Sequence, residues 1–503
     1  MILLQRAYTY RFLSLVVLML ALASSLALAE HRPQQASIHP LVQDTISAQG
    51  QAEVLVVLKT QADLSAASNL PTVQERASHT HQALQAAAEA SQAGLRAFLD
   101  NQQLDYQVFF IVNAIKIQAD STLLQYLATR PEVDRIVPNP RVRGIPDLPQ
   151  TPADAPSGIE PNLVRVNADD VWALGHTGQG IVVAGQDTGY DWAHPALIQQ
   201  YRGWDGATAD HDYNWHDAIH TGGGSCGPDS TEPCDDHGHG THTMGTVVGD
   251  DGAANQIGMA PGAQWIGCRN MDRGVGTPAS YLECFEFFLA PYPVGGTPAQ
   301  GDPNLAPDVV NNSWSCPPSE GCDAGTLEAA VDALREAGIV VVVSGGNTGS
   351  ACGSVDRPPT LYEGSFSVGA FSHASDQIAG FSSRGPVSYG GRTYIKPNIA
   401  APGVSIRSSS PGGGYSYSSG TSMAAPHVAG AIALLLSADA DLRGQVDAIE
   451  RTLTTTAQPR LDSQCGAAGP PNNVWGWGIL DAQAAVEHGS LHRFYLPAIF
   501  GGP

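Results

Sequence analysis

The sequence of 503 residues predicts an α/β fold: a large body with a mainly parallel sheet flanked by helices, preceded by a small α+β domain. Short, continuous β-branched runs at residues 181–184, 309–310 and 339–343 are typical of strands covered on both faces. A helical segment at residues 326–337 separates two of them. Strands that alternate with helices in this way favour a parallel sheet.

The composition excludes several classes of protein. Hydrophobic residues make up 43% of the chain and charged residues 15%, which is enough apolar material for a large core and argues against disorder. The formal net charge is −23. An acidic surface repels phosphate backbones and anionic lipids, so we expect no nucleic acid and no membrane surface among the partners. We expect the mature chain to be a monomer.

The first 29 residues are typical of a signal peptide. Arg6 and Arg11 precede an apolar run at residues 12–28, and small residues at Ala27 and Ala29 stand before Glu30. An uncleaved anchor is the alternative, because the run is nearly long enough to span a bilayer. The small residues favour cleavage, so we expect a secreted, extracellular protein.

The eight cysteines indicate disulfide bonds. An even number of cysteines in an exported chain is typical of a disulfide framework, although the sequence does not define the pairing. Close spacing favours Cys226 with Cys234 and Cys316 with Cys322. A zinc site is the alternative, but the chain has no Cys-x-x-Cys pair.

The sequence divides into five regions. Residues 50–143 alternate strand-like and helical patterns, with strands expected at 54–58, 106–117 and 133–137 and helices at 73–103 and 123–129. Residues 144–160 hold four prolines and no periodicity, which predicts an exposed linker of the kind that proteases cut. The body covers residues 161–490, after the signal peptide (1–29) and these two regions. The apolar tail at 491–503 is either an extra strand or a handle for processing.

Asp187 is the first candidate for chemistry. It follows the strand predicted at residues 181–184 and precedes Thr188 and Gly189. Catalytic groups gather at the carboxyl edge of an open α/β sheet, which is where this side chain is expected. An aspartate before glycine is also common in turns, and that is the alternative.

His239 is the second candidate. It lies in the segment His237-Gly238-His239-Gly240-Thr241-His242, where the glycines allow a tight turn into a helix. An imidazole in the first turn can then face the sheet edge as a base. A metal site is the alternative, since His239 and His242 stand three residues apart, but no third ligand is evident.

Ser422 is the third candidate. It opens an apolar helix in the segment 420–430, whose composition predicts a buried helix. A serine at this position is either an N-cap or a nucleophile, and the free amides of a helix N-terminus suit an oxyanion. A nucleophile, a base, a group that orients the base and oxyanion donors are what amide hydrolysis requires.

These three segments resemble the signatures of the subtilisin-like serine proteases, the subtilases, and stand in the order Asp, His, Ser that subtilisin has. The resemblance covers residues 164–487 and implies a secreted serine endopeptidase with Asp187, His239 and Ser422 as its catalytic triad. It also implies that Asn347, after the strand at 340–343, supplies a side-chain amide to the oxyanion hole. The chemistry needs no cofactor.

Further segments resemble the substrate site of the same family. Ser313, Trp314 and Ser315, in an Asn-Asn-Ser-Trp version similar to bacillopeptidase F relatives, match the strand that binds substrate as an added β-strand, and we expect broad specificity from such main-chain recognition. The opposite wall of the pocket is expected from Ser344, Gly345 and Gly346.

The resemblance implies two more partners. Residues 50–143 are similar to the inhibitory propeptides of the family, which act as intramolecular inhibitors and chaperones; an independent binding domain is the alternative. Family members often bind structural Ca²⁺, but residues 249–258 do not match the expected calcium loop, so the metal ligands are unknown.

Two other functions remain open at this point. An exported pseudoprotease would bind proteins or peptides without cutting them, and the intact triad argues against it. An acid-acting relative would use Glu in place of His239, and the intact histidine motif argues against that.

Overall fold

A computed structural model describes residues 35–145, 151–153, 158–466 and 468–495 of the chain. The predicted signal peptide and the tail beyond Tyr495 lie outside the described residues. In the rest, an N-terminal α+β domain precedes a large α/β body, as the sequence predicts.

The N-terminal domain is a five-stranded sheet in the order β1-β5-β2-β4-β3, covered by helices. Its strands are β1 Ser37–Ile38, β2 Gln51–Leu58, β3 Tyr106–Phe109, β4 Ala114–Asp120 and β5 Val133–Pro138, and its helices are α1 Pro40–Gln49, α2 Val73–Asn101 and α3 Ser121–Ala128. Helix α2 begins with a capping box, in which Thr72 and Glu75 satisfy each other's backbone amides.

One predicted strand of this domain is wrong. The sequence predicts a single strand over residues 106–117, but the chain turns at residues 110–113 between β3 and β4. Asn113 takes a left-handed conformation there (φ 43°), which asparagine tolerates better than most residues. The apolar residues of the turn, Phe110 and Ile111, are buried against the body, so their hydrophobicity reports a domain contact and not a strand.

The body contains the remaining elements. Its strands are β6 Val142–Arg143, β7 Thr151–Pro152, β8 Gly158–Ile159, β9 Val182–Asp187, β10 Trp215–Asp217, β11 Asn255–Gln256, β12 Gln264–Arg269, β13 Met271–Asp272, β14 Val275–Gly276, β15 Val309–Asn312, β16 Val340–Ser344, β17 Phe366–Ser372, β18 Gln377–Ile378, β19 Val387–Tyr389, β20 Arg392–Tyr394, β21 Ile399–Pro402, β22 Ile406–Ser410 and β23 Gly414–Ser418. Its helices are α4 Pro161–Arg165, α5 Ala168–Ala173, α6 His239–Val248, α7 Pro278–Leu289, α8 Glu328–Glu336, α9 Thr421–Ala438, α10 Val446–Thr456 and α11 Ala482–Tyr495.

The central sheet has the order β10-β12-β9-β15-β16-β17-β18, with β21 also paired to β17, and all pairs except β17 with β18 are parallel. Its valine-rich strands are covered on both faces. Val340 and Val342 face the layer that holds α6 and α9, whereas Val341 and Val343 face the layer that holds α7 and α8. This burial on both sides explains why the strands read as continuous apolar runs.

Helix α9 is the core helix of the body. It is long and apolar enough to cross a bilayer, but 89% of its residues are buried inside the protein, so a core position accounts for its hydrophobicity. The prediction of a buried helix after Ser422 is therefore confirmed. Its N-cap is Gly420, not Ser422, so the serine is free of a capping role.

The N-terminal domain packs on α7 and α8. Leu55, Phe109 and Phe110 share one hydrophobic cluster with Phe285 and Leu334 of the body. The chain then leaves this domain along the body surface, where Gly144 and Ile145 are buried. An exposed linker is therefore wrong for these two residues, because the segment is held in a groove of the body.

All eight cysteines are paired. The two predicted disulfides, Cys226–Cys234 and Cys316–Cys322, are confirmed. Cys268–Cys284 joins β12 to α7, and Cys352–Cys465 closes a sequence separation of 113 residues.

We expect the disulfide with the longest loop to stabilise the protein most. In the chain-entropy account, a loop of about 100 residues is worth roughly 4.7 kcal/mol, whereas the six-residue separation of Cys316–Cys322 is worth only about 2 kcal/mol. Denaturant unfolding of the Ser422→Ala protein, which cannot digest itself if Ser422 is the nucleophile, should show a loss about 2.5 kcal/mol larger for Cys352→Ser/Cys465→Ser than for Cys316→Ser/Cys322→Ser. Equal losses would contradict this ranking.

Candidate active site

Asp187 and His239 are in contact, as the sequence predicts. Asp187 ends β9, and His239 begins α6 after Gly238, whose left-handed φ of 94° turns the chain into the helix. Nδ1 of His239 lies 2.8 and 2.9 Å from the two carboxylate oxygens of Asp187. A carboxylate only accepts hydrogen bonds, so Nδ1 carries the proton and Nε2 presents a lone pair. The imidazole is thereby set up as a base.

The carboxylate of Asp187 is held in place by two further donors. The amide of Thr188 lies 2.7 Å from Oδ1, and the hydroxyl of Thr243, one turn along α6, lies 3.4 Å from Oδ2. Asp187 is 1% exposed. A buried carboxylate needs this set of donors, since each unpaired oxygen would cost desolvation energy.

Asp235 is a structural residue of the site that sequence reasoning missed. Its Oδ1 accepts hydrogen bonds from the Thr188 hydroxyl (2.8 Å) and from the amides of His237 (3.0 Å) and Gly238 (2.7 Å). Its Oδ2 accepts from the amide (3.0 Å) and hydroxyl (2.6 Å) of Thr241. One carboxylate thus ties the end of β9 to the first turn of α6. The position of Asp235, four residues before His239 in a polar loop, was the only sequence signal.

Ser422 lies in the first turn of α9, a helix that packs on α6. Its hydroxyl donates to the carbonyl oxygen of Ser313 at 3.0 Å, and the Ser313 hydroxyl donates back to the Ser422 carbonyl at 2.9 Å. Nε2 of His239 is buried and has no hydrogen-bond partner among the described residues. The structure therefore pairs Asp187 with His239, while Ser422 is turned towards Ser313 and not towards the imidazole.

Asn347 lies beside the helix that carries Ser422. Its Oδ1 accepts from the amide and from the hydroxyl of Thr421, both at 2.9 Å. Because the oxygen is fixed, the Nδ2 group is the free end of the amide, and it makes no hydrogen bond among the described residues. An amide donor next to the first turn of a helix is a suitable oxyanion site.

The segment after β15, Ser313 to Ser315, forms one edge of the groove that holds residues 142–145. Ser313 and Ser315 present backbone groups there: the Ser313 carbonyl accepts from Ser422, and the Ser315 amide donates to the carbonyl of Gly144 at 3.0 Å. Trp314 differs from them, because its side chain is 1% exposed and stacks on Tyr281 at 3.9 Å beneath the groove. Its indole therefore supports the groove from below.

The segment of Ser344, Gly345 and Gly346 is tied to the same helix end. The amide of Gly346 donates to the Thr421 hydroxyl at 3.1 Å, and the Ser344 carbonyl accepts from Thr360 at 2.7 Å. The amide of Gly345 is used within the sheet, on Val368. The structure thus brings this segment next to Ser422, while most of its polar groups are already paired.

The other histidines of the motif do not form a metal site. Nε2 of His242 lies 3.1 Å from the Ile406 carbonyl and 3.2 Å from the Ser416 carbonyl, which is a structural arrangement. Within residues 35–495, as far as they are described, no group of three or more His, Cys, Asp or Glu side chains is arranged to hold a metal ion. No step is therefore assigned to a metal, and structural Ca²⁺ stays a prediction.

Comparison with known proteins identifies one family, and the similar proteins are proteases. The model of the subtilase family matches residues 178–478. Bacillopeptidase F of Bacillus subtilis (strain 168) is 35% identical over 487 residues, which cover 93% of this chain and 32% of that protein. Subtilisin E of the same strain is 31% identical over 330 residues, or 65% of this chain and 70% of that protein. A thermophilic serine proteinase of Bacillus sp. (strain AK1) is also 31% identical, over 331 residues, 65% of this chain and 68% of that protein.

The share of each relative's length that the chain covers differs. The chain spans about a third of the length of bacillopeptidase F, but more than two thirds of subtilisin E. The match to bacillopeptidase F includes 93% of this chain, so it reaches into the N-terminal domain as well as the body.

The fold around the site should lose stability in mild acid through His427. This imidazole is fully buried in α9; Nδ1 lies 2.8 Å from the Met423 carbonyl and Nε2 lies 2.8 Å from the Asn162 amide. Burial lowers its pKa to about 3, against 6.5 for an exposed histidine. Below pH 6.5 the unfolded chain therefore binds a proton at His427 that the folded chain does not bind. The contribution of His427 to the free energy of unfolding is thus complete above pH 6.5 and is lost as the pH falls towards 3.

Between pH 7 and pH 5, the free energy of unfolding should fall by about 2 kcal/mol on account of His427 alone. His427→Gln removes the titrating group, so its stability should depend less on pH by that amount, whatever its absolute value. Denaturant unfolding of the two proteins in the Ser422→Ala background measures the difference. Identical pH dependences would show that His427 titrates normally.

Proposed function

Because the chain belongs to the subtilase family, a family of serine endopeptidases, we propose that it is a secreted enzyme that hydrolyses peptide bonds of proteins through Asp187, His239 and Ser422. The observation that carries the proposal is the 2.8 Å contact between His239 Nδ1 and Asp187, which orients the imidazole and leaves its Nε2 without a hydrogen-bond partner among the described residues. The three side chains come from distant parts of the sequence.

The proposed reaction proceeds through an acyl-enzyme. The hydroxyl of Ser422 turns from the Ser313 carbonyl towards His239, loses its proton to Nε2 and attacks the scissile carbonyl carbon. The imidazolium then gives this proton to the leaving amine, and Asp187 stabilises the cation throughout. A water molecule, deprotonated by the same Nε2, cleaves the ester and restores Ser422.

The oxyanion of each tetrahedral intermediate needs donors that are already in place. Asn347 offers its Nδ2 group, since its Oδ1 is held by Thr421. The amide of Ser422 is a further donor, since the amides of Thr421 and Met423 on either side of it are already paired with Asn347 and Gly420. Fixed donors of this kind stabilise developing charge without reorganisation.

We propose that the N-terminal domain is an inhibitory propeptide of this enzyme. Two features support this role. The carboxylate of Glu286, on α7, accepts from the amides of Phe110 (2.5 Å) and Ile111 (3.0 Å) of this domain, and Gln107 donates to Glu283 at 2.6 Å. The chain that follows the domain occupies the groove, where Arg143 pairs with Val275. A substrate would have to displace it.

Export and maturation complete the proposal. Four disulfides in one chain are typical of an oxidising compartment, which agrees with the signal-like residues 1–29. Maturation would remove the N-terminal domain by a cut beyond Ile145 and so open the groove. N-terminal sequencing of secreted wild-type and Ser422→Ala protein tests whether the chain makes this cut itself.

The nucleophile can be tested directly. A fluorophosphonate probe should label the processed protein at Ser422, because the probe reacts with an activated serine hydroxyl. Ser422→Ala should abolish the labelling, while Ser419→Ala, which removes a hydroxyl three residues earlier, before the start of α9, should retain it. A processed, folded protein that is never labelled would rule out the enzyme and leave a peptide-binding protein.

Asn347→Ala should reduce kcat by roughly 10²- to 10³-fold, the range known for an oxyanion-hole donor of subtilisin. KM should change little, since the contact forms with the charge of the transition state and not with the substrate. Steady-state kinetics on a protein substrate measures both constants. Thr348→Ala, an exposed neighbour, serves as the control, and an equal loss in both variants would indicate general damage to the loop.

A further inference from the structure

The groove beside Ser313 already contains a segment of the chain itself. Residues Val142–Arg143 pair with Val275–Gly276 in antiparallel fashion. At the next residue, the amide of Gly144 donates to the Gly274 carbonyl and its carbonyl accepts from the Ser315 amide, both at 3.0 Å. Gly144 is thus held from both edges of the groove. Its position shows where one residue of a bound peptide would lie.

There is no room for a side chain at this position. A Cβ atom on Gly144 would lie 2.7 Å from Sδ of Met271 and 2.8 Å from the hydroxyl oxygen of Tyr281, with the Ser315 carbonyl at 3.4 Å. Ordinary carbon contacts begin near 3.5 Å. Gly144 does not have a positive φ, so the backbone conformation would accept any residue. The restriction is therefore one of space alone.

The two side chains below Gly144 are buried in the core. The ring of Tyr281 stacks on Trp314 at 3.9 Å with an interplanar angle of 16°, and neither is more than 1% exposed. A Cβ on Gly276 would also meet this ring, at 2.6 Å, so glycines border the tyrosine on two sides. Met271 is fully buried. Making space would require movement in a packed core, which is costly.

The hydroxyl of Tyr281 has no hydrogen-bonding role among the described residues. It is buried and makes no hydrogen bond among the described residues. A buried hydroxyl without a partner costs free energy, and replacing it by hydrogen leaves no partner unpaired. Its evident effect is steric: the next nearest atoms to the Gly144 Cβ position lie at 3.4 Å or beyond, so the hydroxyl and the Met271 sulfur account for the closest contacts.

We propose that the space occupied by Gly144 and walled by Met271, Tyr281 and Ser315, here called the Gly144 subsite, restricts substrates to glycine at that position on the N-terminal side of the cut bond. The same restriction applies to the protein's own processing segment. The inference rests on the proposed function, because it treats Val142–Ile145 as bound like a substrate. It names a substrate class: extended peptides with one obligatory glycine.

The first experiment needs no enzymatic activity. Hydrogen exchange of the Gly144 amide is measured in full-length Ser422→Ala protein, with and without Gly144→Ala. Forcing a methyl group into a packed site should weaken the segment's binding to the groove, and lower the protection of this amide, about 5- to 150-fold. The control is Arg141→Ala, which removes an exposed side chain whose ion pair with Asp272 is 3.9 Å long; its effect should stay below about 5-fold.

The rescue variants identify the wall. Tyr281→Phe keeps the ring on Trp314 and removes only the hydroxyl, so it should restore part of the protection in the Gly144→Ala protein. Met271→Val replaces the other contacting side chain by a shorter one, and combining it with Tyr281→Phe should restore more of the protection. Protection in Gly144→Ala within twofold of the parent would overturn the proposal, as would a failure of both rescues.

The second experiment uses the processed enzyme on a library of peptides, with the products read by mass spectrometry. Glycine should dominate one fixed position upstream of the cuts, and Tyr281→Phe/Met271→Val should admit alanine and serine there while the other positions keep their preferences. Cleavage without a glycine preference would overturn the subsite and leave the protease intact. If nothing is cleaved and Ser422 is not labelled, the proposed function fails, and the exchange experiment alone decides the subsite.

Discussion

The geometry of the site depends on two carboxylates, the buried Asp187 and the half-buried Asp235, whose oxygens are hydrogen bonded. At 1% exposure the carboxylate of Asp187 needs donors, and it finds them in its own loop and in the first turns of α6. Asp235 likewise accepts five hydrogen bonds, from Thr188 at the end of β9 and from residues 237–241 at the start of α6. Because both carboxylates draw on the end of β9 and the start of α6, satisfying them fixes one element against the other. The orientation of His239 follows from that, so desolvation of charge is what makes the base rigid.

The N-terminal domain and the groove segment, residues 142–145, make different kinds of contact with the body. The domain contributes Leu55, Phe109 and Phe110 to the hydrophobic cluster of the body and two amides to Glu286. The groove segment contributes backbone hydrogen bonds and only two buried apolar side chains, Val142 and Ile145. Covalent attachment gives the segment a high effective concentration beside the groove, so weak contacts suffice while the chain is intact. If the chain is cut beyond Ile145, as we propose, this advantage ends, and the apolar contacts with α7 and α8 are what remains to hold the domain.

Much of the architecture could be predicted from local patterns, and the failures have physical reasons. Continuous valine runs predict strands buried on both faces, and the three motifs place Asp187, His239 and Ser422 at element ends. The turn at residues 110–113 was missed because its apolar residues are buried by another domain, which no local pattern reveals. Asp235 was missed because its donors are recognisable only once β9 and α6 are adjacent. Gly144 was predicted to lie in an exposed linker, because a segment rich in glycine and proline has the same composition whether it is free in solvent or bound in a groove.

Recognition by strand addition poses a problem that the Gly144 subsite addresses. Backbone hydrogen bonds to Gly274 and Ser315 are available to almost any peptide, so they give affinity without selectivity. Selectivity then has to come from exclusion, and a closed wall rejects every residue that carries a Cβ. The cost is affinity, because glycine buries no side chain and loses the most backbone entropy on binding. Under the proposed function, weak retention would let the protein's own segment leave the groove after maturation, whereas a deep apolar subsite at this position would retain its product. In this proposal, the stacked pair of Tyr281 and Trp314 narrows substrate choice and favours product release by the same steric exclusion.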